Sequence, residues 1–519
     1  MEKKWWTLVV VCAATFMLLL DVTIVIVALP TIQTGLHASF SDVQWVVDAY
    51  ALTLASVLLT AGSLADRYGR RFLFTIGLIV FTLGSLLCGV AQSPIMLILS
   101  RSAQGIGGAI LFATSLALLA QSFHGKERGV AFGIWGAITG VSVGLGPVLG
   151  GVITSGISWR GIFLVNLPIG VAALAVTRWR VDESKTPHAA RTDWAGFATL
   201  TAGLVSLTYG LIRAGETAWS DTGVVICFAL AAVLLGVFVA VERRADHPLF
   251  DLSLFRIPTF SGGLAAAFAM NGSLYAILLY LVLYLQDDLG YSALGTGLRL
   301  LVMSGVTLVA ATIAGRLSTH MPVRWLIGPG LLLVGVGQLL MTGLDVSSTW
   351  THLIPGFIVA GAGAGMVNPP LASTAVGVVT PQRSGMASGV NTTFRQIGIA
   401  TGIAAYGSIF ASSLHHKMDR ALAGSPSLHR LLPELVTDIQ QGKGAQAIGS
   451  VPEPLRGPLV AAIHSSFAST LDLLLVVSAV LALVGAACSL GFIRSRDILV
   501  SHEPPPSPVA ADPVGSPAG

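Results

Sequence analysis

The chain has 519 residues, of which 54% are hydrophobic and only 10% charged, and its formal net charge is +4. Soluble domains carry about 25% charged residues, so a water-soluble enzyme and a nucleic-acid binder both fit poorly. The apolar residues come in blocks of about 20, the length at which an α-helix crosses ~30 Å of hydrocarbon.

In chain order, Lys3 and Lys4 precede an apolar run that imitates a signal peptide. The run continues past Asp21 to Pro30 without a small-residue cleavage pattern, so it reads as a retained first helix. Further blocks follow, giving spans at about 6–30, 43–64, 72–92, 95–118, 129–151, 161–178, 194–212, 222–241, 259–285, 293–314, 324–344, 352–377, 385–412 and 467–492. With the N-terminus in the cytoplasm, 19 of the 29 lysines and arginines fall in cytoplasmic segments. The positive-inside rule therefore puts both ends in the cytoplasm of a multi-pass protein of the inner (cell) membrane. Residues 414–465 are expected to form a long outer loop, with an apolar stripe at 428–439 folded as a short helical lid. The Pro-rich tail over 497–519 is expected to be disordered and cytoplasmic.

The two ends of the chain echo one another. GSLADRYGRR (62–71) follows the second block and GRLSTHMPVR (315–324) the tenth; QGIGGAILFATSLA (104–117) parallels AGAGAGMVNPPLASTA (360–375). The echo divides the chain into a six-helix half over 1–180, two inserted helices with linkers over 181–256, and a second six-helix half over 257–496. Duplicated halves about a central site are the usual build of secondary transporters.

These residues resemble a known family. GSLADRYGRR is similar to the loop motif of the major facilitator superfamily, and LILSRSAQGIGGA (97–109) looks like its helix-4 motif. GVSVGLGPVLGG (140–151) resembles the helix-5 motif of antiporters, while LDVTIVIVALP (20–30) and WRGIFLVNLP (159–168) resemble motifs of the fourteen-spanner drug/proton antiporters. The resemblance implies an all-α membrane protein with the major facilitator fold: fourteen transmembrane helices, two pseudo-symmetric six-helix halves and two inserted helices. Ile26 stands where the first motif usually has Asn, the second-half loop motif lacks its Asp, and Arg299 replaces a usually apolar residue.

An ionised group at mid-bilayer costs roughly 2.5–3.5 kcal/mol on insertion scales, so buried charges are normally paired or functional. Asp21 and Arg101 lie about 13 and 10 Å below the same surface at 1.5 Å per residue, and the resemblance gives Asp21 the proton-coupling role. Gly62, Asp66, Arg67, Gly69, Arg70 and Arg71 form a cytoplasmic turn in which Asp66 can cap a helix of the opposite half, a conformational latch. The spacing of Gly140, Gly144, Gly146, Pro147, Gly150 and Gly151 by itself reads as ordinary close helix packing, and the resemblance implies a close, bending seam against the opposite half. Arg395 faces a substrate anion, water or a backbone carbonyl. Arg299 and Asp472 either pair or snorkel, and Asp48 is a second titrating group or, the favoured reading, interfacial. Trp5, Trp6, Trp45, Trp159 and Trp350 read as interface anchors.

No GxxxxGK[ST] or HExxH pattern occurs, and the four cysteines stand apart without CxxC spacing. The reading is a non-enzymatic exporter of small lipophilic molecules in exchange for protons, with no cofactor or metal, acting as a monomer. The alternatives are a lipid or glycolipid exporter and, more remotely, a non-cycling channel or sensor.

Overall fold

The computed structural model describes residues 2–123, 125–184, 193–246, 248–249, 251–318, 320–379, 384–422, 428 and 451–498. Most of the expected lid, 429–439, the linker 185–192 and the tail from 499 lie outside the described residues.

Helices stand at all the expected places. They are α1 (Lys3–Leu36), α2 (Phe40–Tyr68), α3 (Arg70–Gly89), α4 (Pro94–Ser122), α5 (Gly125–Gly156), α6 (Gly161–Arg180), α7 (Trp194–Glu216), α8 (Thr222–Glu242) and α9 (Pro258–Asp288). α10 (Ala293–Leu317), α11 (Arg324–Leu339), α12 (Ile354–Gly377), α13 (Ser384–Leu422) and α14 (Glu453–Phe492) complete the order. Among the described residues, 12 helices are long and apolar enough to cross a membrane. The 32-residue α5 and the shorter apolar α11, of 16 residues, stand beside these twelve.

A helix satisfies all its backbone groups within its own segment, as hydrocarbon demands, and polar caps set where several of these helices begin. Ser39 and Asp42 form a reciprocal capping box at α2, and Ser93 caps α4 immediately before Pro94. α9 contains two π-helical turns, 271–275 and 284–288, which periodicity does not foretell. The ends of α13 and α14 correct the sequence reading: residues 414–422 and 453–465 are helix rather than outer loop. The 40-residue α14 spans ~60 Å, twice a bilayer core. Leu414, Met418, Leu422, Leu459 and Ala462 on these extensions are buried, which holds the extra turns in place.

The packing repeats between the halves. α2 on α4, α3 on α4 and α1 on α5 recur as α10 on α12, α11 on α12 and α9 on α13. Small residues permit the tightest pairs: a methyl on Gly84 would lie 2.9 Å from the Gln104 backbone, and one on Gly363 would meet the Gly330 carbonyl. The halves meet along α2 against α13 and α5 against α10, again related by the pseudo-symmetry. α7 packs on α8 and against α13 and α2, while α8 is largely unburied.

Lys3 bonds Asp182 at 2.6 Å, and Arg494 N donates to Thr259 Oγ1 at 2.8 Å. α2 and α13 run antiparallel, with Gln44 beside Ile403 and Ala55 beside Thr393. Both described chain ends therefore lie on one side, the near face. At the opposite, far face a single apolar core joins the two halves, including Leu29 and Ile32 of α1, Leu281 of α9 and Phe410 of α13. Toward the near face the first half has a core of its own, including Val11, Leu54, Phe81 and Leu118. Apolar packing thus joins the halves at the far face, and a further core, including Leu52 of α2, Phe260 of α9 and Val390 of α13, joins them along α2.

Candidate functional site

A polar network fills the middle of the first half. α1 supplies Asp21 and α4 supplies Arg101 and Gln104, three residues apart on one helical face. Arg101 Nη1 donates to Asp21 Oδ2 at 2.5 Å and to Gln104 Oε1 at 2.6 Å, and Arg101 Nε donates to the Val46 carbonyl of α2 at 3.1 Å. Gln104 Nε2 donates to Asp21 Oδ1 at 2.8 Å and to Ser85 Oγ on α3 at 2.7 Å; Asn166 Nδ2 of α6 also reaches Ser85, at 3.1 Å. The guanidinium carbon sits 4.2 Å from the Tyr50 ring centroid, an added cation–π contact. Asp21, Gln104 and Ser85 are wholly buried and Arg101 is 1% exposed, so charge and countercharge meet away from the protein surface. The expected pair is brought together. Periodicity and depth do not mark Gln104, Ser85, Asn166 or Tyr50, although a Gln one turn from an intramembrane Arg is a readable signal.

The seam between halves is built around α2. Gln44 Nε2 donates to the Ile403 carbonyl at 3.0 Å, as does Tyr280 OH of α9 at 2.7 Å. Thr393 Oγ1 donates to the Ala55 carbonyl at 3.1 Å, and Gln286 Nε2 of α9 to the Val27 carbonyl of α1 at 2.7 Å. On the other flank, α5 meets α10. A methyl on Gly151 would lie 2.6 Å from the Ala293 carbonyl oxygen, one on Gly297 would overlap the Pro147 carbonyl, and Leu294 N donates to Ser155 Oγ at 3.1 Å. Gly146 and Gly150 face Thr23 and Ile24 of α1, whereas Gly136 and Gly144 meet nothing within 4 Å. α5 therefore approaches α10 closely at its far end, and Pro147 sits within a continuous helix.

Asp48 departs from its expected interfacial position. It is 0% exposed, and neither carboxylate oxygen has a hydrogen-bond partner among the described residues. The cause is rotational: Asp48 follows Gln44 by four residues and so shares the α2 face that meets α9 and α13. An unsatisfied buried polar group costs about 1–3 kcal/mol. Asp48→Leu is therefore expected to raise the melting temperature while lowering transport, as for a residue retained for function. A fall in melting temperature would contradict that assignment.

Arg299 and Asp472 do not pair. Arg299 stacks on Tyr291 at 3.4 Å and Trp350 at 5.0 Å and donates to the Gly295 carbonyl. Asp472 accepts from the N–H groups of Gly343, at 3.1 Å, and Leu344, at 3.3 Å, fixing the turn after α11. Each group found a partner closer at hand than the other charge. Trp159, expected at the interface, is buried against Gly35.

At the near face, Asp66 Oδ1 accepts from Arg70 Nη2 at 2.8 Å, and Arg71 Nη2 donates to the Arg178 carbonyl at 2.6 Å. Arg67 lies over the Tyr68 ring, and Gly62 meets nothing within 4 Å. An unforeseen residue, Glu183, accepts from Arg71 N at 3.1 Å and Phe72 N at 3.0 Å, placing a carboxylate on the N-terminus of α3. Gly69, at φ +122°, makes room: a methyl there would lie 2.6 Å from the Glu183 carboxylate. These bonds tie α2, α3 and the end of α6 within the first half. Asp66→Ala and Glu183→Ala are each expected to slow turnover several-fold while leaving equilibrium substrate affinity within about twofold. Loss of affinity with normal turnover would contradict a conformational role.

The comparisons with known proteins agree with this architecture. The model of the Major Facilitator Superfamily matches residues 11–403. The chain is 34% identical to Multidrug resistance protein Stp of Mycobacterium tuberculosis, over 92% of this chain and 90% of that protein. It is 31% identical to the Tetracenomycin C resistance and export protein of Streptomyces glaucescens, over 95% and 92%. Puromycin resistance protein pur8 of Streptomyces alboniger is 36% identical over 78% and 81%. A crystal structure of a bacterial homolog of the human lysosomal transporter Spinster aligns with a TM-score of 0.62 at 17% identity, covering 96% of this chain and 99% of that one, which is a likeness of fold. With a family match over most of its length and an all-helical bundle of two repeated halves, the chain is a multi-pass membrane transporter, not an enzyme, and belongs to the Major Facilitator Superfamily.

Proposed function

We propose that the protein is a fourteen-span, proton-coupled exporter of small lipophilic drug-like molecules, seated in the cell membrane with the near face in the cytoplasm. The observation that carries this reading is the wholly buried Asp21–Arg101–Gln104 network and its bond to α2. Arg101 holds the Asp21 carboxylate with one nitrogen and the Val46 carbonyl with another. α2 also carries Gln44, Asp48 and Ala55 into the seam with the second half. Protonating Asp21 removes the charge that Arg101 neutralises, loosens that grip and so alters how α2 is held against α13. A ligand shifts an equilibrium by its differential affinity for the two states. Exchange follows when the protonated carboxyl and the bound substrate favour opposite openings. Asp48, on the same helix, is the second titrating candidate. The names of the relatives, resistance and export proteins, support a drug-like cargo.

The test is efflux and susceptibility over a panel of lipophilic compounds in cells lacking other pumps, with and without the protein and with the proton gradient collapsed. Gradient-dependent efflux of some members is expected. Equal accumulation with and without the protein across the panel contradicts an exporter.

A further inference from the structure

Arg395 is a cation in the second half that, among the described residues, lacks the countercharge Arg101 has. It lies ~16 Å along α13 from the near-face end, at 1.5 Å per residue. Arg395 Nε donates to Asn391 Oδ1 at 3.1 Å and Nη1 to Asn368 Oδ1 of α12 at 3.2 Å. Asn368 Nδ2 in turn reaches Tyr275 OH of α9 at 3.5 Å. Both acceptors are neutral amides, and among the described residues no carboxylate pairs with this guanidinium. The two asparagines fix the direction of the fork without neutralising it. Asn391 is 3% exposed, and its Nδ2 has no partner among the described residues. A charged nitrogen fork and an orphaned amide N–H thus stand together on one helical turn, on a side chain only half-buried.

Two such donors complete themselves with an oxyanion, the geometry for which a planar guanidinium is suited. Two buried acids of the first half do not supply the countercharge: Asp21 is held by Arg101, and Asp48 lies on the α2 face turned to Tyr280. We propose that Arg395 and Asn391 form the anchoring point for the oxyanion of an acidic cargo, a carboxylate, phenolate or enolate on an otherwise apolar body. This assignment of substrate class rests on the exporter reading. The same chemistry could be met by the headgroup of an anionic lipid, so the test separates the two sources.

The full chain, purified into phosphatidylcholine nanodiscs, is titrated against fluorescein, an anionic dye, and ethidium, a cationic one, by fluorescence anisotropy. Wild type is expected to bind fluorescein. Arg395→Gln should weaken that binding at least tenfold, Arg395→Lys less, and Asn391→Ala several-fold, with ethidium binding unaltered. No fluorescein binding by the wild type, or equal losses for both dyes in Arg395→Gln, overturns the proposal. So does abolition of fluorescein binding when phosphatidylglycerol replaces phosphatidylcholine, which assigns the site to lipid. Transport in proteoliposomes is read separately. Anion binding as expected without export of either dye overturns the exporter reading and leaves the site, whereas ethidium export without fluorescein binding does the reverse.

Discussion

Asp21→Asn abolishes gradient-driven efflux, lowering it to the level of cells without the protein, while expression and membrane insertion stay near normal. Breaking a buried ion pair by removing one partner commonly costs about 3–5 kcal/mol, which argues for unfolding rather than a clean functional loss. Two features of the site reduce that cost. Asn keeps an acceptor for Arg101 at the position of Oδ2, and Arg101 retains the Gln104 and Val46 oxygens and the Tyr50 face. A carboxyl that is protonated in every cycle also requires a fold that tolerates a neutral group there. Efflux, surface expression and equilibrium substrate binding measured together decide the matter. Full efflux against a gradient removes Asp21 from coupling, and loss of the folded protein makes the pair a structural tie.

Gly297→Val stops transport by a different route. The added carbons enter the space of the Pro147 carbonyl, which is backbone and cannot swing aside, so α5 and α10 must separate at the far face. Transport is expected to fall at least tenfold with substrate binding retained. In a background lacking the four native cysteines, a cysteine replacing Gln286 should react faster with an impermeant thiol reagent added at the far face. That residue now bonds across the seam to Val27. Unchanged transport and labelling would mean that closure of this flank is not part of the cycle.

Much of this was legible because hydrocarbon is a demanding solvent. Blocks of about 20 apolar residues mark the helices, and similar depth below one surface points to the meeting of Asp21 and Arg101. What stayed illegible depends on rotation and on distant neighbours. Depth alone left Asp48 at the interface, whereas its helical face, shared with Gln44, carries it into the seam. Arg299 and Asp472 lie at similar depth too, but nearby rings and backbone N–H groups satisfy each separately. Glu183 sits in a polar linker, and its partners at the start of α3 are more than 100 residues earlier, so no local pattern marks it. The ends of α13 and α14 read as loop because His415, His416, Lys417, Asp419 and Arg420, and Glu453, Arg456 and His464, lower the hydropathy of segments that still propagate as helix.

Coupling of substrate flow to proton flow is the central claim, and it is measured most directly in proteoliposomes. Vesicles are loaded with an exported compound, carry a pH-reporting dye inside, and start with equal pH and no membrane potential. Downhill exit of the compound through the wild type should acidify the interior, and Asp21→Asn should show no such change. Compound leaving through the wild type without any internal pH change would contradict the account.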